Sequence, residues 1–179
     1  MYLETERLII RNWQPKDYKD LFEFASDKEV TKYLLYETYT SEQQAVERIN
    51  SLLETYKESD QIGDFAIELK KENKVIGSLC LTKKTEKAGG IIELGWSLNR
   101  KYQGFGYMTE SISSLLKYIK TNHLAKRIVA VCDAENTKSS NVMKRIGMQF
   151  EGIARKASDN NHHNRHDLVY YSILEEEIK

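Results

Sequence analysis

Two glycines two residues apart, Gly104 and Gly106 in RKYQGFGYMTES (100–111), stand directly after a strand-like run and directly before a helix-like one. A turn in that place can do chemistry of one kind. The N–H groups freed at a helix start, backed by the positive end of the helix dipole, hold an anion, and glycines let the chain approach it closely. The same spacing also makes a plain tight connection, and on its own it leaves both readings open. Residues 100–110 contain no Gly-Lys-Ser/Thr of a triphosphate loop and no third glycine at the dinucleotide spacing. An anion here would be a diphosphate held by main chain.

Other candidates are weaker. HHNRH (162–166) gathers His162, His163 and His166 in a polar hairpin loop, with no partner at a recognised ligand spacing except Asp167, so no metal is expected. Glu110 falls in the first turn of the helix after the glycines, where a carboxylate suits the dipole, which favours a structural role. Cys80 and Cys132 lie in apolar runs and form no Cys-x-x-Cys, as expected of small core residues in a reducing, cytoplasmic setting.

The elements that must position these groups read as one domain over 1–179, with a single proline and no repeat or linker. Strands are expected at 7–13, 64–69, 74–81, 90–98, 127–133 and 167–174, with the second and third joined as a hairpin and residues 82–90 as a loop. Pro15 opens a helix, Ser41 and Gln44 resemble a capping box for a second, and Ile112, Leu115, Leu116 and Ile119 stripe a third. Val142, Met143 and Ile146 belong to a fourth, stopped at Gly147. Strand 90–98, the striped helix and strand 127–133 form a strand, helix, strand unit, so the class is α+β with a mixed, mostly antiparallel sheet and flanking helices. Lys+Arg and Asp+Glu are both 27, which gives no bulk charge for nucleic acid or an anionic membrane. The opening MYLETERLII does not have the pattern expected of a leader peptide, and no membrane-spanning segment is expected from the apolar runs.

IELGWSLNRKYQGFGYMTES, DAENTKSSNVMKRIGMQFEGIAR and HDLVYYSIL, in that order, resemble the GNAT acetyltransferase superfamily, and within it the RimJ/RimL-like branch of ribosomal-protein N-terminal acetyltransferases. ETERLIIRNWQPKD and EVTKYL are similar to the openings of that branch. The resemblance implies a V-shaped opening between the fourth and fifth strands, with acetyl-CoA as co-substrate and no metal. The family's pyrophosphate loop, Q/R-x-x-G-x-G/A, falls on Lys101, Tyr102, Gln103, Gly104, Phe105 and Gly106, with Tyr107 and Met108 opening the helix. Lys101 departs from the pattern, and Arg100 stands next to it. Trp96, Ser97 and Leu98 would give main-chain contacts to the pantetheine arm. Asn136 and Ser139 fit the motif that faces the pantetheine and the thioester sulfur, although both also suit helix capping.

The chemistry so implied is acetyl transfer to a primary amine by direct attack on the thioester. Glu93 occupies the place of the family's general base, among apolar neighbours. Met143 replaces a tyrosine that serves as general acid in many relatives, which leaves Ser139 as the substitute. Ser158 stands where some relatives carry a glutamate, with Asp159 beside it as an alternative base. Tyr33, Tyr36 and Tyr39 either wall the acceptor site or only pack. The acceptor is open between a protein N-terminal α-amine, ribosomal proteins included, and a polyamine, amino acid or aminoglycoside. An acyl-CoA-binding sensor without catalysis is the other reading. A homodimer is compatible with the sequence, which carries no mark of oligomeric state.

Overall fold

The apolar alternation of residues 64–81 and 91–98 is realised as three antiparallel strands; the computed structural model describes residues 1–57, 62–85, 90–159 and 165–179. The chain opens with β1 (Tyr2–Glu4), β2 (Leu8–Arg11) and a 3-10 turn (Pro15–Asp17) that runs into α1 (Tyr18–Ala25). Then come α2 (Lys28–Thr31), α3 (Glu42–Thr55), β3 (Gly63–Leu69), β4 (Lys74–Thr85) and β5 (Ile91–Leu98). After a second 3-10 turn (Arg100–Tyr102) follow α4 (Tyr107–Thr121), β6 (Arg127–Asp133), α5 (Thr137–Arg145), β7 (Gln149–Asp159) and β8 (Arg165–Leu174). Among the described residues, no helix is long and apolar enough to cross a membrane.

The strands form one sheet in the order β1-β2-β3-β4-β5-β6-β8-β7. Every neighbouring pair is antiparallel except β5 and β6. This is the mixed, mostly antiparallel α+β architecture read from the sequence. Because the short β1 was not foreseen, the fourth and fifth strands of that reading are β5 and β6. Their parallel pairing runs from Ile91↔Arg127 to Glu93↔Val129 and stops there, so beyond Glu93 and Val129 the two strands part.

Alternation divides the core between the two sheet faces. Phe65, Ile67, Leu79, Leu81, Ile92 and Leu94 pack with Ile112, Leu115, Leu116 and Ile119 of α4. Ala66 and Val75 pack with Leu21, Phe24 and Ala25 of α1 and Ala45, Ile49 and Leu52 of α3. The Ser41–Gln44 capping box at the start of α3 is present, as the sequence suggested. On the face that carries Ala66, Glu93, Gly95 and Ser97 stand opposite Thr82, Cys80 and Ser78, which sets a polar strip on the α1 and α3 side.

Beyond β1, the short α2 was also not foreseen, and two further strands differ from the sequence reading. β4 continues past Leu81 because Thr82, Lys83 and Thr85 keep pairing with β5. β7 was not foreseen: as the edge strand it exposes Phe150 and Ile153, and its register shifts twice, so no alternation marks it.

Candidate active site

Where β5 and β6 part, a cleft of about 430 Å³ opens. Glu93, Trp96 and Ser97 of β5 line one side, with Val131 and Cys132 of β6 and Asn136 and Ser139 of α5 on the other. Leu98 ends β5, paired with Gly77 of β4. Over residues 95–98, β5 pairs with β4 but not with β6, so its outward main-chain groups face the opening.

The glycine turn lies between the end of β5 and the start of α4. Gly104 and Gly106 have φ of +88° and +81°, the left-handed region that favours glycine, and Gly106 is the N-cap of α4. A Cβ at Gly104 would meet nothing within 4 Å. The conformation, not crowding by the protein, requires glycine there. Tyr107 and Met108, the first helical residues, are buried in the core, so the turn sits on a fixed base. Gln103 donates from Nε2 to the Leu98 carbonyl (3.1 Å) and accepts from Lys138 Nζ of α5 (2.8 Å), a bridge between the turn and α5.

The cations at the turn differ in their partners. Arg100 pairs with Asp27 (2.9 Å) and Lys101 with Glu23 (2.9 Å). Hydrogen bonds from Lys101 and then Lys74 hold the Glu23 carboxyl at about 2. Lys138 instead bonds a neutral amide. A dianionic ligand at the turn would therefore find Lys138 the least compensated of the three.

At the start of α5, Asn136 Oδ1 accepts the N–H of Ser139 (3.2 Å), so Asn136 is a helix cap. Among the described residues the Ser139 hydroxyl has no hydrogen-bond partner, and it lines the cleft. Met143 is buried in the core and carries no proton to give. Burial pushes the Cys80 thiol up to about 11 and raises that of Cys132 above its ordinary value. Both thiols border the cleft, yet both keep their protons at neutral pH.

On the α1 and α3 side the cleft is walled by Tyr33, Tyr36 and Tyr39, the rings of Tyr36 and Tyr39 lying 5.5 Å apart. Burial and the neighbouring Tyr39 raise the Tyr36 phenol above its ordinary pKa, against a hydrogen bond with Ser97, so it keeps its proton at neutral pH. Three features here escaped the sequence reading. Arg48 and Asp64 form an ion pair (2.9 Å) on the cleft wall. Ser78 and Ser97 share a hydroxyl contact of 2.8 Å. Glu93 pairs with Lys84 (3.0 Å).

The histidine motif resolves differently from its sequence reading. His162 and His163 lie outside the described residues, as does the side chain of Asp159. His166 Nδ1 lies 3.1 Å from Asp133 Oδ2, while Asp167 accepts the N–H of Lys156 (2.8 Å). Glu135 brings a third potential ligand within 4.8 Å of the other two. Asp133 Oδ1 accepts the Glu135 N–H (2.8 Å), so both Asp133 oxygens are engaged by the protein itself.

With this geometry in place, comparison with known proteins gives a consistent match. Residues 7–149 match the model of the acetyltransferase (GNAT) domain. YnaD, an uncharacterized N-acetyltransferase of Bacillus subtilis (strain 168), is 34% identical over 177 residues, covering 99% of each chain. The crystal structure of a GNAT-family acetyltransferase from Bacillus anthracis superposes with a TM-score of 0.86 at 33% identity, covering 99% of this chain and 100% of that one. The [ribosomal protein uS5]-alanine N-acetyltransferase of Escherichia coli (strain K12) is similar over a shorter stretch, 27% identical over 84 residues, which is 47% of this chain and 43% of that one.

Proposed function

The chain belongs to the GNAT acetyltransferase family, and we propose that it transfers the acetyl group of acetyl-CoA directly to a primary amine, the N-terminal α-amine of a protein being the preferred acceptor. The observation that carries this reading is the end of β5–β6 pairing at Glu93 and Val129, which opens a cleft lined by a carboxylate, with the glycine turn following at the end of β5. The residues fit the co-substrate. The unpaired edge of Trp96, Ser97 and Leu98 offers main-chain donors and acceptors to the amides of a pantetheine arm, as an added strand would take them. The left-handed turn from Gln103 to Gly106, with Tyr107 and Met108 behind it, presents N–H groups to a diphosphate.

Acetyl-CoA supplies an activated acyl carbon and a thiol leaving group, and the chain's own residues do the rest. Glu93, directly or through a water, takes the proton that the amine must lose. The Ser139 hydroxyl, at the N-terminal turn of α5, faces the departing sulfur with the positive end of the helix dipole behind it. A thiol of pKa near about 8.5 leaves with only that modest help. Half-buried and protonated, Cys80 and Cys132 are poor acyl carriers, which favours direct transfer over a cysteine-bound acyl group.

The α-amine acceptor follows from acidity and from similarity. An N-terminal amine, with a pKa near about 7.7–8.0, is substantially neutral in the cell, whereas a lysine amine near about 10.4 asks far more of one carboxylate. The partial similarity to a ribosomal-protein alanine acetyltransferase points the same way. CoA release measured against N-terminal peptides, polyamines, amino acids and aminoglycosides tests it. Release with peptides above all others supports the proposal. Release only with a small molecule moves the acceptor to that class, and tight acetyl-CoA binding without release makes the protein a sensor.

A further inference from the structure

We infer that Arg7 is a positioning residue for the cofactor turn: anchored by Glu110 and the Tyr107 ring, it fixes the Phe105–Gly106 peptide so that the Gly106 N–H is presented to the pyrophosphate. The inference rests on reading residues 103–108 as the pyrophosphate site.

Arg7 stands just before β2, nearly a hundred residues from the turn, yet its guanidinium reaches three parts of it. Nη1 donates to the Phe105 carbonyl (3.0 Å). Nε donates to Glu110 Oε2 (2.6 Å), and Nη2 lies equally close to the same oxygen. The guanidinium also lies over the Tyr107 ring, 4.5 Å from its centroid. Glu110 is held from the other side, its Oε1 accepting the Arg7 main-chain N–H (3.1 Å) and the Thr5 hydroxyl (2.6 Å). Burial pushes the Glu110 carboxyl up, but the hydrogen bonds from Thr5 and Arg7 outweigh it, so the group stays ionised.

The need for an anchor follows from the glycine. Turning over the Phe105–Gly106 peptide changes ψ of Phe105 and φ of Gly106, and glycine accepts either sign of φ. The turn that lets the backbone approach an anion can thus also present a carbonyl to it, which would repel it. A trans peptide is planar, with C=O and N–H pointing in opposite directions, and the described residues contain no cis peptide. Once Arg7 holds the Phe105 carbonyl, the Gly106 N–H must point the other way. Arg7 also offsets the Glu110 charge, which would otherwise stand in the first turn of α4 against an incoming anion.

A role confined to stapling β2 to α4 would affect all ligands alike, whereas orienting one peptide acts only on ligands that carry the pyrophosphate. Binding of CoA, by calorimetry, and of pantetheine, which lacks pyrophosphate and nucleotide, by thermal shift at millimolar concentration, separates the two. Arg7→Met should weaken CoA about tenfold, the loss of one charged hydrogen bond, while pantetheine stays within twofold. Arg7→Lys, which keeps one donor, should fall between. CoA binding unchanged in Arg7→Met, or both ligands weakened equally, overturns the inference. If Arg7→Met does not fold, Arg7→Lys decides by the same comparison. If neither folds, the residue is a staple and the inference fails. Wild-type protein that binds CoA no more tightly than pantetheine would instead remove the pyrophosphate reading beneath it.

Discussion

The ammonium of Lys84 lies 3.0 Å from Oε2 of Glu93, across the β4–β5 pairing, with both side chains partly open to solvent. The candidate base thus carries a cation of its own. To take a proton from an amine it must share or give up that contact, and the approaching ammonium is itself a cation that can displace Lys84.

One substitution tests the carboxylate. Glu93→Gln should lower turnover by about 10² to 10⁴ at neutral pH, with less loss at high pH, where the acceptor arrives neutral. Near-normal turnover at neutral pH with saturating acceptor would remove Glu93 as the base.

Gly106→Val places a β-branched residue at a φ of +81°. Its Cβ would meet the nearest atom, Arg7 Nη2, at 3.5 Å, an ordinary contact, so the cost is backbone strain of about 1–2 kcal/mol. Urea denaturation should show that modest loss, while CoA affinity drops by more than about tenfold as the turn changes shape. A folded variant with normal CoA affinity would make the glycines a connection only.

Arg11 holds the entrance to α1. Its guanidinium meets both oxygens of buried Asp17 (2.7 and 3.0 Å) and donates to Glu68 (2.7 Å). Arg11→Met leaves Asp17 buried without its cation, and equilibrium unfolding should record a loss of about 3–5 kcal/mol. A loss below about 1 kcal/mol would mean that water already reaches the pair.

Glu23 ties α1 to Lys74 of β4 and to Lys101 before the cofactor turn. Its carboxyl lies at about 2 in the fold against an ordinary 4.5, so its contribution is complete above 4.5 and is lost as pH falls toward 2. The stability difference between wild type and Glu23→Gln should therefore be largest near neutral pH and shrink through that window. A difference independent of pH would assign the effect to packing.

What was legible in the sequence is what neighbours along the chain decide. The left-handed turn at Gly104 and Gly106, the Ser41–Gln44 box and the apolar stripe of α4 are local, and the structure contains each of them. The parting of β5 and β6 was reached through family resemblance, because spacing does not reveal where a parallel pair ends. Side-chain partners across the sheet were out of reach. Lys84 meets Glu93 only because β4 runs on past Leu81, and His166 meets Asp133 only because β6 pairs with β8. Arg7 and Glu110, 103 positions apart, meet because the start of the chain packs beside α4. Such pairs depend on register and topology, which no local pattern encodes.

The central claim, that the β5–β6 cleft and its glycine turn hold acetyl-CoA, is tested most directly by thermal unfolding of the full chain with acetyl-CoA, ATP or NADH. At a hundredfold excess over its dissociation constant, acetyl-CoA should stabilise the fold by about 2.7 kcal/mol. For a domain of this size that raises Tm by about 5–10 °C. At the same concentration Gly106→Val, bound more than about tenfold less tightly, should gain less than about 1.4 kcal/mol. An unmoved Tm with acetyl-CoA, together with a rise with ATP or NADH, would contradict the account.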